Sequence, residues 1–240
     1  MSARRRDSLG QVAGADGCPG GWICIVLDRI TSTVTPLLCR SSEELLTIHP
    51  EPSVLAIDMP IGLPDSGDRD CDRIARMLLG PRRSSVFPAP IRPSLAAVTQ
   101  QGADAISRAI VGRGVGAQAW GLYRRVLSLD RLIGPDEQTR CVEVHPELSF
   151  LALNGDQPLP HSKHSPEGVA ARRALIDNAF GPEAYPSVRK AIAPREATDD
   201  DLLDAMAACW TAYRIAEGTA HRIPANPPTD ARGLRMEMWF

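Results

Sequence analysis

The chain has 240 residues, of which 43% are hydrophobic and 23% are charged, a composition typical of a soluble globular protein. This length is enough for one large domain, or for a domain that carries insertions. The formal net charge of −2 excludes a globally basic protein, so a nucleic acid would have to bind through a local basic patch or through bound metal ions.

The cysteines and the start of the chain indicate the cellular compartment. The six cysteines show no C-x-x-C spacing, which favours free thiols in a reducing cytosol over a disulfide framework. The basic start, MSARRRDSLG, is not followed by an apolar stretch of signal-peptide length. No window approaches the ~18–20 apolar residues that a membrane helix needs. We therefore expect a cytoplasmic protein without a membrane span.

Apolar runs separated by turn residues predict an antiparallel meander in the first forty residues. The predicted strands cover residues 12–15, 22–27 and 31–38, and a short helix follows at 43–48. A fourth strand at 54–57 is reached through that helix. Such a crossover connection places the fourth strand beside the first.

The rest of the chain is predicted to be mostly helical. Helices are expected at 70–79, 94–109, 117–132, 167–179, 186–191 and 199–217, with one further strand at 141–144 that leads into a short helix ending at 153. The last helix and the first strands contribute to one candidate site. We therefore expect a single domain over residues 1–240 with an α-rich insertion at about 65–135.

Two of the predicted strands end in an aspartate, Asp16 after the first and Asp58 after the fourth. If these strands are neighbours, the two carboxylates lie close together, and buried like charges are costly unless a cation compensates them. Neither segment carries a nearby basic residue, which favours a metal ion. The alternatives are local: Asp16 could form an Asx turn before Gly17, and Asp58 could cap the proline-rich loop that follows it.

The last predicted helix opens with the string TDDDLLDAMAACW, which places a fourth aspartate, Asp204, one turn inside an apolar helix. Asp201 and Asp204 are spaced i and i+3, so both point to one side, which continues with the small residues Ala205 and Ala208. That side could approach a sheet closely, and carboxylate ligands suit Mg²⁺ or Mn²⁺. For residues 199–201 the alternative is that three acidic side chains interact with the positive end of the helix macrodipole. Such an interaction stabilises a helix by about 0.3–1 kcal/mol.

A basic segment between residues 69 and 92 predicts contacts with phosphate. Arginine binds phosphate bidentately, and neighbouring serines add neutral donors. We expect substrate contacts from this segment and from a lysine in a later loop, namely Arg76, Arg82, Arg83, Ser84, Ser85 and Lys163. The alternatives are a solvated helix face whose arginines pair with nearby aspartates, and a solvated loop lysine.

The segment EVHPE adds a further candidate. Glu143 ends a strand that is expected to lie beside the Asp58 strand, so it is predicted as a catalytic residue, either as a ligand or as a group that orients one. His145 could relay protons, or it could be structural. His161 and His164 lack matching Cys or His partners, which argues against a zinc site.

Five motifs, in order, resemble one known family. They read GADGCPGGW, AIDMPIGLPD, CDRIARMLLGPRRSSVFPAP, VEVHPELSFLALNG and DDLLDAMAA, and they run from about residue 12 to residue 217. The chain is similar to the family catalogued as domain of unknown function 429, whose members are described as predicted RNase H-like nucleases. The resemblance implies an α/β fold of the RNase H and RuvC-resolvase type. Such a fold has a mixed five-stranded sheet in the order 3-2-1-4-5, with its first three strands antiparallel and helices on both faces.

The resemblance also implies a site and a reaction. Two Mg²⁺ or Mn²⁺ ions would be held by Asp16, Asp58, Asp201 and Asp204, with Asp16 bridging both, for hydrolysis of a DNA or RNA phosphodiester. Asp58 stands where resolvases generally carry a glutamate, and this shorter side chain would change the spacing of the metal ligands.

Two other functions fit the same residues. A non-catalytic module could use the fold to bind a nucleic acid or a protein, and a lysine or arginine could then fill the carboxylate site. An actin-like or sugar-kinase-like nucleotide binder shares the strand-one aspartate, but it needs a phosphate-binding hairpin in both halves, and the sequence offers one. The choice between DNA and RNA, and the oligomeric state, stay open.

Overall fold

A computed structural model describes residues 10–240, and the basic start at residues 1–9 lies outside them. The strands are β1 (Gln11–Cys18), β2 (Gly21–Asp28), β3 (Val34–Cys39), β4 (Leu55–Ile57), β5 (Cys141–Glu143), β6 (Arg222–Ile223) and β7 (Met238–Trp239). The helices are α1 (Ser42–Leu46), α2 (Asp70–Leu79), α3 (Gln100–Val111), α4 (Ala117–Leu132), α5 (Pro146–Leu153), α6 (Pro166–Phe180), α7 (Ala184–Ala191) and α8 (Asp199–Ala216).

Strands β1 to β5 form one mixed sheet in the order β3-β2-β1-β4-β5, which confirms the predicted fold. The first three strands are antiparallel, whereas β4 runs parallel to both β1 and β5. Ala15 lies opposite Ile57, and Ile57 lies opposite Glu143. The carboxyl ends of β1, β4 and β5 therefore meet at one edge of the sheet.

Alternation along β2 separates two cores, one on each face of the sheet. Trp22 and Cys24 point into a core that α1 and α4 cover, whereas Ile23 and Ile25 point into a core that α6, α7 and α8 cover. All four side chains are at most 2% exposed. Helices therefore lie on both faces, as the resemblance implied, and α8 packs directly on β1.

Close approach of α8 to β1 depends on a glycine. A methyl group at Gly14 would lie 1.9 Å from the amide nitrogen of Cys209 and 2.4 Å from the carbonyl carbon of Ala208. These are backbone atoms of α8 and cannot rotate away. A larger residue at this position would push the helix, and with it Asp204, away from the sheet.

We therefore expect Gly14→Ala to lower the free energy of unfolding by about 3 kcal/mol or more, the upper range for an overpacked core. Gly121→Ala is the matched control, because Gly121 lies in α4 and a methyl group there would meet no atom within 4 Å. That control should be neutral or stabilising by about 0.5–1 kcal/mol. Urea denaturation of both variants checks the prediction, and equal stabilities would contradict it.

The segment between β4 and β5 is helical, as predicted, but its second helix starts later than the sequence suggested. Residues 92–96 form a 3₁₀ turn, and α3 begins only at Gln100. The reason is a competing cap: the Thr99 hydroxyl accepts a hydrogen bond from the Gly102 amide (3.1 Å). Residues 97–99 are not helical, and Ala97 and Thr99 have extended backbone angles, so the prediction of one helix over 94–109 is wrong at its start.

The last 23 residues close the free edge of the sheet. Trp239 forms a parallel bridge with Val144, directly after β5. The side chains of Leu234, Met238 and Phe240 are buried. The family motifs end at about residue 217, and no sequence pattern in the tail predicted this role.

None of the helices between residues 10 and 240 combines the length and the apolar character required to cross a bilayer. All six cysteines are buried and free of disulfides.

Candidate functional site

Three aspartates from distant parts of the chain meet at the carboxyl edge of the sheet. Asp16 belongs to β1, Asp58 directly follows β4, and Asp204 lies in the second turn of α8. One carboxylate oxygen from each lies within 4.8 Å of the others. Parallel pairing of β1 with β4 brings the first two together, and the contact at Gly14 brings in the third.

This cluster is electrostatically strained. Burial raises the pKa of Asp16 well above its ordinary value, and the charges of Asp58 and Asp204 raise it further. Burial likewise raises the pKa of Asp58, and the charge of Asp204 is the second largest cause. The pKa of Asp204 rises to about 7, mainly through burial. Each carboxylate is therefore hard to ionise unless positive charge is supplied.

A lysine supplies part of that charge. The Lys163 ammonium nitrogen lies 2.7 Å from Oδ2 of Asp204 and 2.7 Å from Oδ2 of Asp200, one helical turn earlier in α8. It lowers the pKa of both Asp58 and Asp16. If all four carboxylates are ionised, one ammonium group leaves three negative charges without compensation.

The remaining oxygens fit a divalent cation. Oδ1 of Asp204 is buried and, within residues 10–240, accepts no hydrogen bond. A buried oxygen without a partner costs about 1–3 kcal/mol, more if it is charged, so such an atom indicates a missing ligand. Asp16 is oriented by its neighbour, because the Gly17 amide donates to its Oδ1 (2.7 Å). Three clustered carboxylates are the oxygen donors that Mg²⁺ and Mn²⁺ prefer.

Asp201, predicted as a metal ligand, is not brought into this three-carboxylate cluster. Its Oδ2 accepts a hydrogen bond from the Thr198 amide (2.7 Å), while its own amide donates to the Thr198 hydroxyl. This reciprocal capping box starts α8 and uses the carboxylate locally. Asp200 reaches the site instead. It is spaced i and i+4 from Asp204, a spacing that places two side chains on one face as well as i and i+3 does.

Glu143 lines the same pocket, and of its two predicted roles, ligand or orienting group, its contacts fit the second. Its two oxygens each lie 2.7 Å from a guanidinium nitrogen of Arg69, and one also accepts from the Ile61 amide (2.7 Å). Arg69 donates in addition to Asp72 (2.6 Å). All three charged side chains are at most 3% exposed. With both oxygens engaged, Glu143 holds the loop that follows Asp58 and is not placed to bind a cation.

The carboxylates line one side of an open pocket of about 610 Å³. Part of the predicted phosphate-binding segment lines the same pocket, namely Arg82, Ser84 and Ser85. Arg76 and Arg83 do not. Arg76 donates from Nε to the Val86 carbonyl (3.1 Å), and Arg83 is exposed in a 3₁₀ turn over Gly80–Ser85.

His145 ties the serine segment to the sheet. Its Nε2 lies 3.2 Å from the Ser85 carbonyl, and its Nδ1 accepts from the Glu147 amide (3.2 Å). Nε2 is therefore the donor, and burial lowers the pKa of His145, which favours this neutral tautomer. Glu147 is itself held by Arg172, from Nη2 at 2.6 Å. No sequence signal pointed to Arg172, because its partner lies 25 residues away.

Comparison with known proteins adds a family. The family model described as "Protein of unknown function (DUF429)" matches residues 14–229, which is most of the chain. Searches of curated proteins and of solved structures found no match. The chain therefore belongs to the DUF429 family of proteins of unknown function.

Proposed function

We propose that this protein is a divalent-metal-dependent nuclease, which hydrolyses phosphodiester bonds of DNA or RNA in the cytoplasm. The observation that carries the proposal is the meeting of Asp16, Asp58 and Asp204 around a common point, with one buried oxygen of Asp204 lacking a partner in the described part of the chain. A solvated helix start explains neither the three-aspartate cluster nor the buried position of Asp204. The six free cysteines support a reducing compartment.

One group of residues in the pocket would bind the cation, and another would bind the substrate phosphate. Asp16, Asp58 and Asp204 would hold Mg²⁺ or Mn²⁺, which when bound activates water and stabilises charge on the phosphate. Arg82 and the Ser84–Ser85 pair line the pocket that the carboxylates also line and would orient a phosphate there. The Arg69–Glu143 pair keeps the Asp58 loop in place. Without a bound cation, the excess negative charge on the carboxylate side would repel a phosphodiester.

The shape of the site agrees with a nucleic-acid substrate. The pocket is open, and a second cavity of about 360 Å³ adjoins it, with Phe87 and Gln118 lining both. Phe87 is 45% exposed and could stack on a base next to the scissile phosphate.

A panel of DNA and RNA single strands, duplexes, hybrids and junctions, incubated with and without Mn²⁺, tests the proposal directly. We expect cleavage of at least one substrate that requires Mn²⁺ or Mg²⁺ and stops with a chelator. Uncleaved substrates across the panel, together with no measurable Mn²⁺ binding, would reject it.

Arg82 and Arg83 provide a matched pair for the phosphate contact. Arg82 lines the pocket, whereas its neighbour Arg83 points outside it. We expect Arg82→Gln to raise KM about tenfold, since a hydrogen bond to a charged group contributes about 1.5–3 kcal/mol. Arg83→Gln should leave KM within about twofold of wild type, judged against that same scale. Steady-state cleavage kinetics check the difference, and equal KM values for the two variants would contradict it.

One observation favours a second candidate, a non-catalytic binding module. A lysine was expected to fill the carboxylate site of such a module, and Lys163 does contact Asp204. Binding of a nucleic acid that is independent of Mn²⁺ and is not followed by cleavage would favour this alternative. The actin-like alternative gains no support, because residues 10–240 contain one five-stranded sheet, not two related halves.

A further inference from the structure

Lys163 lies beside the three-aspartate cluster and contacts one of its members. It lies in the loop between α5 and α6, and its ammonium nitrogen bridges Asp200 and Asp204 at 2.7 Å each. Its side chain is 27% exposed, so the ammonium faces the pocket from a partly buried stem. Its charge also reaches Asp16 and Asp58.

The residue type is informative. The chain has 27 basic residues, of which only Lys163 and Lys190 are lysines. Arginine carries its charge on a broad planar fork, whereas lysine presents a compact point charge with three donors. Within residues 10–240, two of these donors contact Asp200 and Asp204, which leaves the third for a ligand in the pocket.

Asp204 is shared between the lysine and the candidate metal site, because its Oδ2 contacts Lys163 and its Oδ1 has no partner within residues 10–240. Asp16, Asp58 and Asp204 converge on a single point. Asp201, the further ligand expected for a second ion, is engaged in its capping box, and Asp200 is paired with Lys163. The chain thus offers ligands for one divalent ion beside one fixed ammonium group.

We propose that the site uses one divalent cation, and that the Lys163 ammonium group replaces the second cation and binds an oxygen of the substrate phosphate. This inference rests on the proposed function, and it replaces the two ions implied by the family resemblance with one ion and a lysine. Lys163 stays on Asp200 and Asp204 when the metal ion binds, and its third N–H contacts the phosphate as negative charge develops there.

Metal stoichiometry tests the inference without relying on activity. Mn²⁺ titration followed by electron paramagnetic resonance should count one tight ion per chain in the wild type. Lys163→Met should bind two, because Asp200 and Asp204 lose their cation. Lys190→Met, which removes the exposed lysine of α7, should bind one. Two ions in the wild type, or a single ion in Lys163→Met, would overturn the inference.

The two lysines also allow the position of Lys163 to be followed directly. Protein labelled with ¹³C at lysine Cε gives one signal for Lys163 and one for Lys190, which serves as the solvent-exposed reference. We expect the Lys163 signal to remain distinct from that of Lys190 when Mg²⁺ is added. A shift of Lys163 to the position of the exposed lysine would show that the metal ion displaces it, and would refute the proposal.

Measurements of kcat distinguish two possible roles of Lys163: a catalytic group, or a group that only competes with the metal ion for the site. We expect Lys163→Met to lower kcat about 10²–10³-fold, as removal of one preorganised electrostatic group does, while Mn²⁺ binds at least as tightly. If Lys163 only competes with the metal ion, its removal would instead raise kcat, together with Mn²⁺ affinity. Binding of two ions with cleavage would overturn only this inference, whereas absence of both binding and cleavage would end the proposed nuclease as well.

Discussion

Asp204→Asn is expected to abolish metal-dependent cleavage and at the same time to stabilise the metal-free protein. Loss of a ligand should lower kcat/KM by about 10³-fold or more, since removal of one electrostatic group at an active site already costs about 10²–10³-fold. Asparagine occupies nearly the same volume but carries no charge. It therefore relieves the repulsion among carboxylates that the wild type tolerates to hold a cation.

The stabilising effect should depend on pH in a defined direction. The pKa of Asp204 is about 7 in the folded protein, above the value of about 3.9 for an unfolded aspartate. The folded state holds this proton more tightly, so the contribution of Asp204 to stability is largest below about pH 4 and is lost as pH rises to about 7. The metal-free wild type should therefore lose a few kcal/mol between about pH 5 and pH 8. Asp204→Asn should lose less.

Thermal or urea denaturation at several pH values, in the presence of a chelator, measures this difference. Asp136→Asn, in an exposed turn far from the site in sequence, is the control and should follow the wild type. Mn²⁺ should restore the stability of the wild type at high pH and have no such effect on Asp204→Asn. A variant that keeps cleavage, or that is less stable than the wild type at about pH 8, would contradict the assignment of Asp204 as a ligand.

Arg69→Met is expected to cause the largest loss of stability among single charge replacements. Arg69 makes the hydrogen bonds that compensate two buried carboxylates, Asp72 and Glu143. Removing one partner of a buried ion pair costs about 3–5 kcal/mol, because the other charge stays buried without compensation. Its Nη1 also contacts the Gly62 carbonyl (3.1 Å), so the loop after Asp58 should lose its support, and Mn²⁺ affinity should fall.

Arg73 provides the matched control, in the first turn of α2, the helix that Arg69 directly precedes. It pairs with Asp70 on the surface, where both side chains are more than half exposed. We expect Arg73→Met to cost less than about 1 kcal/mol. Urea denaturation compares the two variants, and the triple variant Arg69→Met, Asp72→Asn, Glu143→Gln should recover part of the loss. Similar losses for Arg69→Met and Arg73→Met would show that the buried network is not needed.

The fold followed from local patterns in the sequence. Apolar runs of β-branched residues around Ile23 and Ile25, separated by glycines, specify the hairpin strands, and the crossover rule places β4 beside β1. The family resemblance then supplied the strand order. The tail after residue 217 was not foreseen, because Leu234, Met238 and Phe240 form no periodic pattern and are buried only by contacts with distant elements.

The site was predicted in outline and differs in detail. The meeting of Asp16, Asp58 and Asp204 follows from strand ends and helix spacing, which are local rules. Spacing alone could not decide whether Asp200 or Asp201 faces the site, since positions i+3 and i+4 both share a face. In the structure the capping box engages Asp201, and Asp200 faces the site. Lys163 was expected to contact phosphate, but its contact with Asp204 spans 41 residues and depends on tertiary structure.

An anomalous diffraction map from crystals soaked in Mn²⁺ tests the central claim most directly. We predict one peak in contact with carboxylate oxygens of Asp16, Asp58 and Asp204, with the Lys163 ammonium still on Asp204. A map without a peak at this position, with Asp204 bound only to Lys163, would contradict the claim that these three aspartates form a cation site.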